Sequence, residues 1–338
     1  DCHHLIMDGG SNDIFLRQLC RVLDGESIEA ETYDYYQFVA DQKIDATTEQ
    51  FFAEQLGQIE ESSALIPDRY DGCESHREMD ILCPTDLQAV QDKCKQLNIT
   101  PAVLYLAATT IAVSKYTAED TVGICTVSSG RSNLNIANTF GMFVNTLPLV
   151  SKIDYAMSVD DYLRQVADTF LETLANEDYP YGRIVEKYGF AANIMYAYQV
   201  GLISNYCCGK GEVKRHYLEL QKAKFPVSVL IEGSIEQGGV IHVQYDESLF
   251  TETMMTHFAK AIQQVVTDLL ASKKLSDVRM CNEQMTAILD TFNVKTDPVS
   301  ADEDANETVL SLFKRTVEQY PDNIAAVFKE KRYTYREL

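Results

Sequence analysis

Basic charge is what this sequence most lacks. Against 51 acidic side chains it carries only 29 lysines and arginines, a formal net charge of −22, whereas nucleic acids and anionic membranes both demand basic surface. The reading is therefore no nucleic acid and no membrane among the partners. Nor does any window approach the roughly 20 uncharged apolar residues of a spanning helix. The opening Asp1-Cys2-His3-His4 is not a charged region leading into an apolar stretch, so no export signal is read there. The nine cysteines are odd in number and form no CxxC pairs. Cys73, Cys83 and Cys94 lie too far apart, with no histidine cluster nearby, for a zinc site. No metal site is expected; reduced, mostly buried thiols and a cytoplasmic location are. Internal repeats and low-complexity tracts are missing as well.

What is present suffices for folded cores. The chain has 338 residues, 46% of them apolar, which allows about two domains and excludes a disordered chain. It does not begin with Met, and it stops at Leu338 within TYREL, which looks like the opening of another element. A piece of a larger polypeptide is expected.

The periodicity alternates helix and strand. Ser11 is placed to cap a helix to about Leu23, with Asp13 in the first turn. Thr85 and Gln88 have capping-box spacing ahead of Leu87, Val90, Cys94 and Leu97. Thr100-Pro101 opens a helix so apolar from Val103 to Val113 that it must be buried nearly all round. β-Favouring runs cover Thr121–Val127 and Met142–Val150, separated by the turn residues Ser128-Ser129-Gly130-Arg131. Ser158 precedes a helix over Val159–Leu174, and Thr251 one reaching about Ala271. Between them lie strands at Val227–Glu232 and Val240–Tyr245, joined by a turn at Gly238-Gly239. These βα units predict an α/β layered domain. The acidic NVKTDPVSADEDANE, residues 293–307, reads as an exposed linker. Beyond it, one helix around Val309, Leu312, Phe313 and Val317 and one strand at Ile324–Phe328 are too little for a domain unaided.

One run carries chemistry: His3-His4-Leu5-Ile6-Met7-Asp8-Gly9-Gly10-Ser11. Neutral imidazole takes a proton near pH 7, and a helix start offers free backbone N–H groups where negative charge develops. The residues alone fit a second reading better, a buried turn with satisfied histidines, Asp8 in an ion pair and glycines chosen for backbone freedom. The remaining histidines, His76, His216, His242 and His257, are scattered without ligand spacing. Cys207-Cys208 reads as a reduced loop pair, and Tyr33, Tyr35 and Tyr36 as packing residues, since no basic residues interleave them.

HHLIMDGGS resembles the HHxxxDGxS signature of the condensation domains of nonribosomal peptide synthetases. Other segments follow in that family's order. ETYDYYQF (31–38) resembles its YxDYAxW, with Phe38 or a neighbour in place of Trp; FGMFVNTLPL (140–149) resembles GxFVNTLPLR; ANEDYPYGRI (175–184) resembles HQDYPFExI. TVLSLFKRTVEQYPDNIAAVFKEKRYTYREL is similar to the beginning of an adenylation domain. The resemblance implies an α/β, chloramphenicol-acetyltransferase-like two-lobe fold with the first lobe incomplete. Residues 1–45 would be the rest of the N-lobe, 46–290 the C-lobe, 291–307 a linker and 308–338 the adenylation start.

The implied reaction transfers an acyl or peptidyl group from an upstream carrier thioester to a downstream aminoacyl thioester. The 4'-phosphopantetheine arm would arrive on carrier domains upstream and downstream, with no cofactor bound directly and an adenylation domain in cis. By this resemblance His4 deprotonates or positions the acceptor amine, His3 supports the loop, and Asp8 holds its shape by pairing with an arginine expected upstream of residue 1. Gly9 gives close backbone approach, with an N–H near the oxyanion. Asn145 lines the substrate tunnel, and Gly130 and Arg131 start the loop flooring it. An α-amine has an ordinary pKa of about 7.7–8.0, so alignment is expected to matter more than proton removal. Three departures stand out: Val150 where the family has Arg, Tyr181-Gly182 for Phe-Glu, and no RDxSRNP pattern before Asn193. Epimerization and heterocyclization domains, an acetyl-CoA-type acyltransferase and a silent docking platform are the competing readings. These residues alone are expected to be inactive.

Overall fold

The computed structural model describes residues 3–28, 30–31, 33–72, 78–199, 206–208, 211–213, 222–234, 238–292, 308–329 and 331–338. The chain forms two compact units, Asp1–Glu283 and Gln284–Leu338.

In the first unit come helices α1 (Gly9–Leu23), α2 (Tyr35–Asp41) and α3 (Ala46–Leu56), strand β1 (Glu78–Thr85), and helices α4 (Leu87–Leu97) and α5 (Pro101–Thr117). Strands β2 (Thr121–Ser128) and β3 (Asn145–Lys152) and helices α6 (Val159–Ala175) and α7 (Tyr181–Tyr188) follow. The unit continues with strands β4 (Ile194–Tyr198), β5 (Tyr206–Cys208), β6 (Gly211–Val213), β7 (Val227–Ser234) and β8 (Gly238–Asp246) and helix α8 (Glu252–Ala271). Residues 1–45 and 46–283 thus belong to one compact unit. The second unit holds most of α9 (Glu283–Phe292), with α10 (Val309–Gln319) and the hairpin of β9 (Ile324–Phe328) and β10 (Lys331–Thr334). Of the linker expected at 291–307, the first two residues end α9; the rest lie outside the described residues.

A six-stranded sheet of order β1-β8-β7-β4-β2-β3 organises the first unit. It is parallel across β2/β4/β7 and antiparallel elsewhere, in keeping with the expected α/β class. Strand β4 sits centrally and buries both faces. Ile194 and Tyr196 enter the larger core with α5, α6 and α8, while Met195 enters a second core with Phe52 and Leu56 of α3 and Ile184 of α7. Helix α5 is buried from Val103 through Ser114. Its polar residues are satisfied inside the fold: Thr109 Oγ1 donates to the Tyr105 carbonyl at 2.9 Å, and Thr110 Oγ1 lies 2.9 Å from the Tyr162 hydroxyl.

Three local expectations are corrected. Helix α1 starts at Gly9 with Asp8, not Ser11, as its cap. Thr85 closes β1, and Asp86 caps α4 through its side chain. Gly238 and Gly239 belong to β8, paired with Ser234 and Gly233. In both helices the capping aspartate has an extended or intermediate backbone, and its carboxylate accepts a first-turn amide, that of Ser11 or Ala89.

Two departures from the family pattern have packing reasons. Val150 is buried in the second core, where an arginine would lack water. Tyr181 extends from that core to donate its hydroxyl to the Phe190 carbonyl at 3.0 Å. The thiols also need a correction. Cys20 is disulfide-bonded, so they are not all reduced; Cys83, Cys94, Cys125 and Cys281 are free among the described residues. Burial pushes the Cys94 and Cys125 thiols up to about 12, which leaves them protonated and unreactive. Cys73, His76 and His216 lie outside the described residues, and Cys207 and Cys208 form part of β5. Among the described residues no single helix is long and apolar enough to cross a membrane.

Candidate active site

The histidine run folds into a turn that feeds α1. His3 Nδ1 accepts the Leu5 amide at 3.1 Å, and its carbonyl accepts the Ile6 amide at 3.1 Å. His4 Nδ1 lies 2.8 Å from the Met7 carbonyl oxygen. A carbonyl only accepts, so Nδ1 carries the hydrogen in this arrangement, and Nε2 is the ring nitrogen not engaged by the turn. Both rings are exposed. Both imidazoles thus fasten the turn through Nδ1 while remaining exposed. Neither of two cavities elsewhere, about 190 Å³ beside Phe190 and about 210 Å³ beside Pro101, includes either histidine.

Beneath the turn Asp8 is fully buried and accepts from three directions. The Ser11 amide reaches Oδ1 at 2.7 Å, the Arg131 guanidinium reaches the same oxygen at 3.0 Å, and the Phe143 amide reaches Oδ2 at 2.9 Å. Burial alone would raise its pKa; these donors outweigh that and hold the carboxyl below its ordinary value. Within this chain the arginine paired with Asp8 is Arg131, because a buried charge must be paired.

Both terminal nitrogens of Arg131 are held, while its buried Nε has no hydrogen-bond partner. Arg131 donates to the Ile136 and Thr139 carbonyls at 3.0 and 2.8 Å and to Ser11 Oγ at 2.9 Å, and its guanidinium stacks 4.4 Å from the Phe143 ring centre. Two glycines make room. A Cβ on Gly10 would stand 2.7 Å from Arg131 Nε, and one on Gly130 would collide with the Phe143 carbonyl oxygen. Gly130 also has φ +62, which side chains disfavour. Gly9, by contrast, has open space where a Cβ would be, so what it offers is the N–H of a helix's first turn.

Sequence reasoning missed the residues that join this loop to the rest. Ser11, read as a cap, instead donates to the Gly141 carbonyl at 2.6 Å and accepts the Gly141 amide at 2.9 Å. Tyr35 and Phe38 pack edge-on against Phe143, with centroids 5.2 and 5.0 Å away. The only signal for these contacts was that the segments occur together in the family's order. Asn145, expected to line the tunnel, spends its whole amide on backbone. Its Nδ2 donates to the Glu177 and Tyr179 carbonyls at 2.8 and 2.7 Å, and its Oδ1 accepts the Tyr181 amide at 3.3 Å. Ser128 donates to the Glu177 carboxylate and accepts the Gly130 amide at 3.2 Å. The four motif segments are thus one hydrogen-bonded assembly with His4 at its exposed end.

A family model described as "Condensation domain" matches residues 1–289. The chain belongs to the condensation-domain family. Bacitracin synthase 1 of Bacillus licheniformis is 25% identical over 363 residues, covering 100% of this chain and 7% of that protein. Surfactin synthase subunit 1 of Bacillus subtilis (strain 168) is 25% identical over 360 residues, covering 100% of this chain and 10% of that protein. This condensation domain therefore spans a small part of the curated relatives it matches. Among solved structures, a four-domain nonribosomal peptide synthetase bound to AMP and glycine superposes with a TM-score of 0.74 at 18% identity, covering 99% of this chain and 28% of that one. The first condensation domain of the calcium-dependent antibiotic synthetase, complexed with a substrate analogue, gives 0.66 at 16% identity, covering 83% of this chain and 66% of that one. These likenesses show the chloramphenicol-acetyltransferase-like condensation fold.

Proposed function

We propose that this domain forms peptide bonds in nonribosomal peptide synthesis, transferring a carrier-bound acyl or peptidyl group to a carrier-bound amino acid. The observation that carries the reading is the intact HHLIMDGG turn, with His4 exposed and its Nδ1 engaged by the Met7 carbonyl while Asp8 is locked beneath it. The acceptor amine attacks the donor thioester carbonyl; the carbon–nitrogen bond forms, the carbon–sulfur bond breaks, and the pantetheine thiol leaves. His4 Nε2 accepts the proton the amine sheds and steers its lone pair. The first-turn N–H groups at Gly9 and Gly10 face the oxygen on which negative charge gathers. An amine of pKa about 7.7–8.0 is already about a tenth neutral at pH 7. Alignment, worth up to about 7–11 kcal/mol, therefore outweighs base assistance of about 10² to 10⁴-fold.

The 4'-phosphopantetheine arm belongs to the substrates on upstream and downstream carrier domains, and the reaction takes place in the cytoplasm. Residues 308–338, a capped helix and a hairpin, are the start of an adenylation domain in cis; relatives that are whole synthetases align with the full chain, which supports this. The first lobe is completed by a further segment packed on α1. Its support is the exposed apolar face of α1, with Phe15, Val22 and Leu23 at 50, 46 and 65% exposure. Solved structures with this fold include an X-domain from teicoplanin biosynthesis in complex with OxyB, so fold alone does not separate catalysis from docking; the complete histidine turn favours catalysis.

The test is His4→Ala in the full-length polypeptide, following amide product while verifying that amino-acid loading persists. A rate loss of about 10² to 10⁴-fold with loading intact is expected; undiminished product would remove His4 from the mechanism.

A further inference from the structure

We propose that Glu177 is a positioning residue for His4, acting through Ser128 and the Gly130-Arg131 turn. The proposal rests on the acyl-transfer reading and adds to it a residue outside the histidine signature. Glu177 stands where the resembled HQDYPFExI segment has Gln, so the position retains an acceptor oxygen while gaining a charge.

Glu177 is fixed at both ends. Its backbone carbonyl accepts from Asn145 Nδ2 at 2.8 Å, and its carboxylate accepts the Ser128 hydroxyl. Ser128 is buried, and with its hydrogen committed to Glu177, its oxygen lone pair is aimed at the Gly130 amide, 3.2 Å away. That bond sets the left-handed backbone of Gly130 against the Phe143 carbonyl, and the next residue is Arg131. Arg131 then places Asp8, which caps α1 four residues after His4.

The coupling follows from the chemistry of Ser128. Its single hydroxyl hydrogen is taken by Glu177, and that bond fixes the side-chain rotamer that aims the oxygen at the Gly130 amide. Without that acceptor the side chain is free to change rotamer, its oxygen leaves the Gly130 amide, and the turn presenting Arg131 loosens. A displacement of about 1 Å in a positioned group costs up to about 10²-fold in rate.

The experiment uses the full-length polypeptide with donor and acceptor loaded on their own carriers, and measures single-turnover amide formation across acceptor-carrier concentrations. The variants are Glu177→Ala, Glu177→Gln and Ser128→Ala, each also combined with His4→Ala, with thermal melting to verify folding. Glu177→Ala and Ser128→Ala are expected to lower the maximal rate about tenfold and leave carrier affinity unchanged. Glu177→Gln, which keeps the acceptor, is expected to restore the wild-type rate, and neither Ala change is expected to cost anything further once His4 is gone. A wild-type rate in Glu177→Ala would overturn the proposal, as would a Gln variant no better than Ala, or a loss that adds in full to that of His4→Ala. Should Glu177→Ala not fold, Ser128→Ala decides by the same criteria. A wild-type polypeptide that loads its carriers but makes no amide would refute the acyl-transfer reading itself; an active wild type with an unaffected Ser128→Ala refutes only the role of Glu177.

Discussion

Asp8 is the residue on which the turn depends. It is a carboxylate taken wholly out of water, held by two backbone amides and one guanidinium. Removing one partner of such a pair costs about 3–5 kcal/mol because the other charge stays buried and unpaired. Arg131→Met is expected to lower the unfolding free energy by that amount in chemical denaturation, and Asp8→Asn combined with Arg131→Met to recover part of it. A loss below about 1 kcal/mol would mean that water reaches the carboxylate. The folded-state pKa of Asp8 is depressed, so its stabilisation is present above the ordinary carboxylate range and disappears as pH falls through the folded value. Which residue pairs with Asp8 was hidden in the sequence. Asp8 and Arg131 are 123 positions apart, and no local periodicity links them. That some charge must neutralise a carboxylate in this turn was legible from the residue types alone.

Among the elements, one histidine adds a polar link across the strands β1, β8 and β7 at the edge of the sheet. His242 of β8 lies 3.2 Å from Asp80 of β1 and 3.5 Å from Glu232 of β7. The hydrogen bond to Asp80 and the two negative charges raise its pKa against the opposing effect of burial. A raised folded pKa stabilises fully below the ordinary histidine value of about 6.5 and loses that contribution as pH rises through the folded value. Comparing melting temperatures of the wild type and His242→Gln across this range, the wild-type advantage is expected to be greatest at low pH and to shrink upward. An advantage that grows with pH would contradict the arrangement. Periodicity identified α5, α6, α8, β2, β7 and β8, whose apolar residues repeat cleanly. It did not identify β1, in which Pro84 interrupts an edge strand, or α7, which has Pro180 as its cap and lacks a side-chain cap bond. It also misplaced two caps by preferring Ser and Thr to the neighbouring Asp, since all three serve.

At the scale of the whole molecule, four segments far apart in sequence converge because the sheet brings them together. Strands β2 and β3 are antiparallel neighbours, so the turn after Ser128 meets the approach to Asn145. The α6–α7 connection supplies Glu177 and Tyr179 to the same place. Ser11 and Asp8 dock α1 onto that junction through Gly141 and Phe143. Ordered motifs made the family legible before any coordinates, since each motif is a contact surface for the others. The polar wiring between them was not legible, because hydrogen-bond partners 32 to 135 residues apart leave no spacing to read. The packed role of Asn145 and the in-chain partner of Asp8 emerged only from the fold.

The central claim is that His4 meets the acceptor amine. Its most direct test is a structure of the full-length polypeptide with the acceptor carrier bearing a non-reactive aminoacyl-pantetheine amide. The account predicts the α-amine nitrogen within about 2.6–3.2 Å of His4 Nε2, with Nδ1 still bonded to Met7. An amine held by other groups, with the His4 ring turned away from the pantetheine, would contradict it.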